Sequence, residues 1–167
     1  MSFSENLPFH IYSNFGILFL GILASCYGLY VEICSESDPD YTAMCDLNRI
    51  ISCTKVMNSE YCTGFGIIGP ILGEHHFLNL SNAFYGVIGY FSLSILQFFE
   101  LLHPKVFMSL SVNIGILLNL LSVYLFFILL HLRAFCIVCF TTYLVNASFL
   151  YLAIRRRQLR NSKPKLQ

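Results

Sequence analysis

The residues best suited to chemistry are Cys136 and Cys139, which form Cys136-Ile137-Val138-Cys139 at the front of an apolar run reaching about Ile154. On a helix, positions i and i+3 share a face, so cysteines with this spacing can come within disulfide range. A helix start also presents unpaired N–H groups, whose partial positive charge favours a thiolate over a thiol. Tyr143 lies one further turn along the same face, with a hydroxyl that can donate to a polar group held near the sulfurs. A reactive dithiol at a membrane surface, with a donor behind it, suits chemistry on a lipid-soluble substrate. The plainer alternatives are a structural disulfide at the cysteines and an interfacial anchor at Tyr143. A four-thiolate zinc site fits poorly, because no second Cys-x-x-Cys is present.

Cys45 and Cys53 form a second group, flanked by Asp46 and Ser52 in a polar stretch. Two cysteine pairs on one side of a membrane suggest a relay, in which a loop pair meets a soluble partner and a membrane pair meets the substrate. Thiol–disulfide exchange passes electrons between such pairs through a mixed disulfide. The loop must then bring Cys53 or Cys45 onto the Cys-x-x-Cys.

The elements that position these residues must cross a bilayer. Of 167 residues 56% are hydrophobic and 11% charged, with a mean hydropathy of +0.67, more apolar surface than a soluble domain of this size can hide. Six of the ten Lys/Arg residues follow Ile154, and six of the nine acids lie between Cys34 and Ser81. No basic patch lies elsewhere, which argues against a nucleic-acid partner. Seven cysteines, several in a polar loop, indicate a disulfide-permissive compartment.

Four spans are expected, at about 15–33, 82–102, 106–130 and 134–154, making an all-α membrane protein with one transmembrane domain over 1–167. The first fourteen residues hold no Lys or Arg, so they lack the basic region of a cleavable signal. Residues 34–81 form the one long polar connection, without obvious helices of its own. Within it, the apolar Gly64–Gly73 is too short and too broken by Gly and Pro to span, and reads as an interfacial half-helix cap. His103-Pro104-Lys105 and His131-Leu132-Arg133 are tight turns, so the last three spans are antiparallel neighbours. Asn113 and Asn119 inside the third span are expected to hydrogen-bond another helix. Arg155-Arg156-Arg157 opens a basic tail over 155–167, cytosolic by the positive-inside rule, which puts the loop on the lumenal side. Lys163 and Lys165, five and three places from the end, resemble a dilysine signal for retrieval to the endoplasmic reticulum.

Met44-Cys45-Asp46, Ile51-Ser52-Cys53, Gly64-Phe65-Gly66, Leu80-Ser81-Asn82 and Cys136-Ile137-Val138-Cys139, followed by Thr141-Thr142-Tyr143, together resemble the vitamin K epoxide reductase family. The resemblance implies a four-helix transmembrane bundle with a lumenal loop and half-helix cap, in the endoplasmic reticulum membrane. It implies reduction of vitamin K 2,3-epoxide to the quinone, and of the quinone to hydroquinone, with no tightly bound cofactor and no metal. By the same resemblance, Cys139 engages the quinone or epoxide and Cys136 resolves it. Cys53 reduces the resulting disulfide, and Cys45 takes electrons from a thioredoxin-like lumenal partner. Asn82 and Tyr143 bond the two ring oxygens, although Ser81 or Asn82 could equally be a helix N-cap. Met57 and Tyr85 belong to the ring's apolar wall; both, with Gly89, stand where vertebrate members tend to carry Phe, so sensitivity to coumarin-type antagonists is open. Cys34 and Cys62 are a plausible extra disulfide. The rival readings are a quinone-coupled thiol oxidase running the same relay toward disulfide formation, and a non-enzymatic membrane scaffold.

Overall fold

In lipid a segment must satisfy its own backbone hydrogen bonds, and the four most apolar segments accordingly fold as long helices. The computed structural model describes residues 6–161 apart from positions 39 and 49. The lysine pattern at Lys163 and Lys165 lies outside the described residues. The long helices are α1 (Asn6–Ser37), α4 (Asn82–Leu102), α5 (Pro104–Leu132) and α6 (Ile137–Asn161). Their apolar spans cover Tyr12–Ser37, Asn82–Leu102, Val106–Leu132 and Ile137–Asn161. Large side chains such as Phe19, Phe91, Leu117 and Phe127 point outward, as suits a surface solvated by lipid tails.

The expected spans are therefore right in number but short in α1 and α6. Hydropathy fades where Glu32, Ser35 and Arg155–Arg160 enter, yet the helices continue through them. Cys136 precedes α6, so only Cys139 of the pair sits in its first turn. The bundle closes as a ring in which α1 packs on α4 and α6, and α5 packs on the same two. Gly28 permits the close approach of α1: a Cβ there would lie 3.3 Å from Val138 and 3.4 Å from Ala83. Pro104 starts α5, where its missing N–H costs nothing. Arg133 ends that helix in the left-handed conformation (φ 48°), its N–H bonded to the carbonyls of Leu129 and Leu130.

Polar groups inside the bundle are paired across helices. Asn119 Nδ2 donates to the Asn146 carbonyl at 3.0 Å, as its depth predicts, whereas Asn113 faces outward. At the tail end, Arg156 is fully buried rather than part of a free basic tail. Its guanidinium donates to Gln97 at 2.6 Å and pairs with Glu100 at 3.3 Å, and Ser111 donates to Glu100 at 2.8 Å. Asn14 of α1 lies against the same guanidinium, so this one cluster ties all four helices.

The connection between α1 and α4 holds more structure than expected. It contains α2 (Cys53–Met57), two 3-10 turns at Glu60–Cys62 and Gly64–Gly66, and α3 (Ile68–Leu72). Gly64, Phe65 and Gly66 all have positive φ, and a Cβ on Gly64 would strike the Asn79 side chain. The cap is fastened to the start of α4 by an antiparallel bridge between Thr63 and Ser81.

The tail-end cluster gives a stability prediction. Glu100→Ala leaves Arg156 buried without its counter-charge and should lower stability by about 3 kcal/mol or more, read as a reduced melting temperature in detergent. Replacing both partners with apolar residues, Glu100→Leu with Arg156→Met, should recover most of that loss. A double replacement as damaging as Glu100→Ala would mean that the ion pair is not what holds this end together.

Candidate active site

The site begins with a short backbone junction. Ser52 N–H donates to the Phe135 carbonyl at 3.0 Å, and Phe135 N–H donates to the Ile50 carbonyl at 2.7 Å. This parallel bridge pairs Ile51 with Phe135 and brings Cys53, two residues on, and Cys136, one residue on, into the same packed cluster. Both cysteines are essentially inaccessible and belong to one packed cluster with Cys45, Val56, Met57 and Cys62. Ser52 caps α2 by accepting from Lys55 N–H at 3.1 Å, which fixes the helix that Cys53 opens.

Cys45 and Cys53 are joined in a disulfide, with Cα atoms 5.9 Å apart. The Tyr27 hydroxyl approaches the Cys45 sulfur at 3.8 Å. A carboxylate oxygen of Asp46 lies within 4.8 Å of both sulfurs. Burial pushes the Asp46 carboxyl up, but hydrogen bonds from Thr54, Ser52 and the Cys53 N–H outweigh it and hold the group below the usual carboxylate range. The stability this gives the loop is present at neutral pH and is lost as pH falls through that lowered value.

Cys136 and Cys139 are both free thiols, but their surroundings differ. The Cys136 sulfur accepts the Cys139 N–H at 3.4 Å, so it is Cys136 that receives the unpaired donors of the helix start. Cys139 instead borders a cavity of about 180 Å³ between α4, α5, α6 and the cap. Leu118, Leu121, Leu125 and Leu129 supply much of its apolar wall, with Ser25 the contribution of α1.

Of the remaining predicted residues, Asn82, Tyr143, Met57 and Tyr85 all border this cavity. Among the described residues no hydrogen-bond partner meets the Tyr143 hydroxyl. Asn82 is more committed than the sequence implies. Its Oδ1 accepts the Phe65 N–H at 2.7 Å and its Nδ2 donates to the Tyr61 carbonyl at 2.7 Å, pinning both 3-10 turns of the cap. The N-cap of α4 is Ser81, which accepts from the N–H groups of Ala83 and Phe84 and donates to Glu32 of α1. Tyr85 stacks on Phe65 with ring centroids 5.2 Å apart, and its hydroxyl donates to the Leu78 carbonyl at 2.5 Å. Met57 is buried against Cys62, whose thiol approaches its sulfur at 3.5 Å.

Two parts of the site escaped sequence reasoning. The first is a polar floor at mid-bundle: Tyr90 donates to Asn146 at 3.0 Å, Asn146 donates to Ser122 at 2.9 Å, and all three border the cavity. Polar residues spaced along three apolar segments were the available signal. The second is Cys62, which does not pair with Cys34. Both are free, Cys34 standing among Tyr30 and Tyr41 while Cys62 turns inward to the cavity.

The chain is 32% identical over 136 residues to vitamin K epoxide reductase complex subunit 1 of Rattus norvegicus, covering 81% of this chain and 83% of that one. It is 30% identical over 136 residues, with the same coverage of both chains, to the Mus musculus protein of the same name. The sequence model of the vitamin K epoxide reductase family matches residues 14–154, a stretch that includes both cysteine pairs, Asn82 and Tyr143. With four membrane helices, a docked loop disulfide and a Cys-x-x-Cys at a cavity, the chain belongs to the vitamin K epoxide reductase family of membrane oxidoreductases.

Proposed function

We propose that this protein reduces vitamin K 2,3-epoxide to the quinone and the quinone to hydroquinone, drawing electrons through its two cysteine pairs. The observation that carries the reading is the placement of the second pair. Cys136 packs in one cluster with Cys53, while Cys139 opens on an apolar cavity walled by the membrane helices. Each turnover consumes two thiols: Cys139 and Cys136 become a disulfide, and the epoxide gives quinone and water, or the quinone gives hydroquinone. Exchange with Cys53 and Cys45 restores the dithiol and leaves the loop pair oxidised, ready for a thioredoxin-like partner. The names of the rat and mouse relatives support the substrate.

Local charge supports the direction of flow. The Asp46 carboxylate beside the loop pair disfavours thiolates there, which makes the loop dithiol the more willing donor. The N–H donated to Cys136 favours its thiolate, which makes the inner disulfide the more willing acceptor. Electrons then pass inward, toward the quinone. Tyr143 supplies a donor for the negative charge that develops on one ring oxygen, in a site where water is scarce. Asn82 keeps one amide hydrogen beyond its bond to Tyr61, and offers it to the opposite oxygen while holding the cap in place. On this reading the loop faces the lumen of the endoplasmic reticulum and the tail faces the cytosol.

Assays on purified protein that follow epoxide and quinone separately test these roles. Cys139→Ala should abolish turnover with every reductant. Cys45→Ala and Cys53→Ala should lose activity mainly with a protein reductant, because dithiothreitol reaches the inner pair directly; equal losses with both reductants would remove the relay. Net oxidation of client thiols by added quinone, with no epoxide turnover, would favour the thiol-oxidase direction instead.

Tyr143→Phe should slow turnover roughly a hundredfold, the usual effect of losing one donor to a developing oxyanion, at an unchanged melting temperature. Asn82→Ala should lower both turnover and melting temperature, since it releases Phe65 and Tyr61 as well. Parental turnover in Tyr143→Phe would take away the ring-oxygen contact.

A further inference from the structure

We propose that Cys62 is a third redox-active thiol of this centre, able to close a disulfide with Cys139 as the quinone is reduced. The inference rests on the functional reading above and extends it to a residue whose sequence context pointed elsewhere. Two of the described thiols, Cys139 and Cys62, border the cavity; Cys62 shares its buried cluster with Cys136 and Cys53, and Cys139 packs against that cluster. Cys62 is 6% exposed and is held facing inward by its own 3-10 turn, with its N–H bonded to the Ser59 carbonyl at 2.9 Å and the Tyr61 carbonyl pinned by Asn82. Among the described residues the one hydrogen-bond partner of its sulfur is the Met57 thioether, a weak acceptor that a bond to another sulfur readily replaces.

Cys62 also carries a proton that reduction of a quinone requires. Burial pushes its thiol well above the ordinary range, and the nearby negative charges of Glu32 and of a Cys136 thiolate add to the effect. Cys62 therefore enters the reaction with its proton. In the proposed step Cys139 has bonded to a substrate carbon. The Cys62 sulfur then attacks the Cys139 sulfur, the carbon–sulfur bond breaks, and its electron pair passes into the ring system. The Cys62 proton goes to the ring oxygen. The two sulfurs lose two electrons, the quinone gains two electrons and two protons over the whole reaction, and the product is a Cys62–Cys139 disulfide.

The resulting disulfide borders the cavity, where a small dithiol can reduce it, and Cys136, through which the relay passes electrons inward, is not part of it. Cys136→Ala should therefore retain turnover with dithiothreitol and lose it with a protein reductant, whereas Cys136→Ala combined with Cys62→Ala should lose it with both. Peptide mapping of quinone-treated Cys136→Ala should find Cys62 joined to Cys139. Cys136→Ser provides a second background should the alanine variant fold poorly, and diamide in place of quinone separates the two levels of the argument. Diamide-induced Cys62–Cys139 pairing without any quinone turnover by the parent protein would uphold the pairing and sink the quinone reading. A parent protein that turns over quinone, with Cys136 variants as inactive as Cys139→Ala and no Cys62–Cys139 peptide under either oxidant, would overturn this proposal alone.

Discussion

Two backbone hydrogen bonds between Ile50–Ser52 and Phe135 fix the geometry on which the redox site depends. They join the loop after α1 to the turn before the last helix and bring Cys53 and Cys136 toward one another. Because the junction is made of main-chain groups, it demands no particular side chain at Ile50, Ile51 or Phe135. It demands that both segments be extended where they meet. The helices must then hold the two segments at one height. Arg133 ends α5 in a left-handed turn, and Ser52 starts α2 immediately after the junction. A cysteine follows the bridge on each side, Cys53 two residues after Ile51 and Cys136 one residue after Phe135.

The bundle below answers a different constraint. Apolar side chains have no reason to prefer each other over lipid, so polar pairs and close backbone contacts must specify which helix meets which. The tail-end cluster around Arg156 does this at one end, and the Tyr90–Asn146–Ser122 floor does it at mid-depth. Glu32, bonded to the residue that caps α4, does it near the loop end. Three polar tiers at three heights fix the order of the four helices. They also leave the space between the floor and the cap as the place where α4, α5 and α6 do not close on one another.

Much of this was legible in the sequence. Hydropathy located the four helices, since twenty apolar residues have few other fates. The Cys-x-x-Cys at the front of the last span, and the polar stretch carrying Cys45 and Cys53, marked the two cysteine pairs that the fold brings into one cluster. What stayed hidden depended on which way a residue faces. Arg156 reads as one of three arginines in a basic tail, and only the opposing Glu100, over fifty residues earlier, makes it an interior residue. Cys62 reads as a loop cysteine free to join Cys34, until a 3-10 turn and three consecutive left-handed residues roll it inward. Asn82 reads as a ligand or a helix cap, and its amide turned out to hold the cap segment from below. These are facts of long-range pairing, which spacing along a chain does not encode.

Asn82 has a consequence of its own. One side chain both borders the cavity and carries the main chain of Tyr61 and Phe65, so the ordering of the cap and the filling of the cavity draw on the same group. Linkage then runs both ways: whatever occupies the space under the cap raises the free energy needed to lift it, and whatever loosens the cap weakens the occupant by an equal factor. Amide hydrogen exchange at Phe65, whose N–H is held by Asn82, would in that case act as a gauge of occupancy.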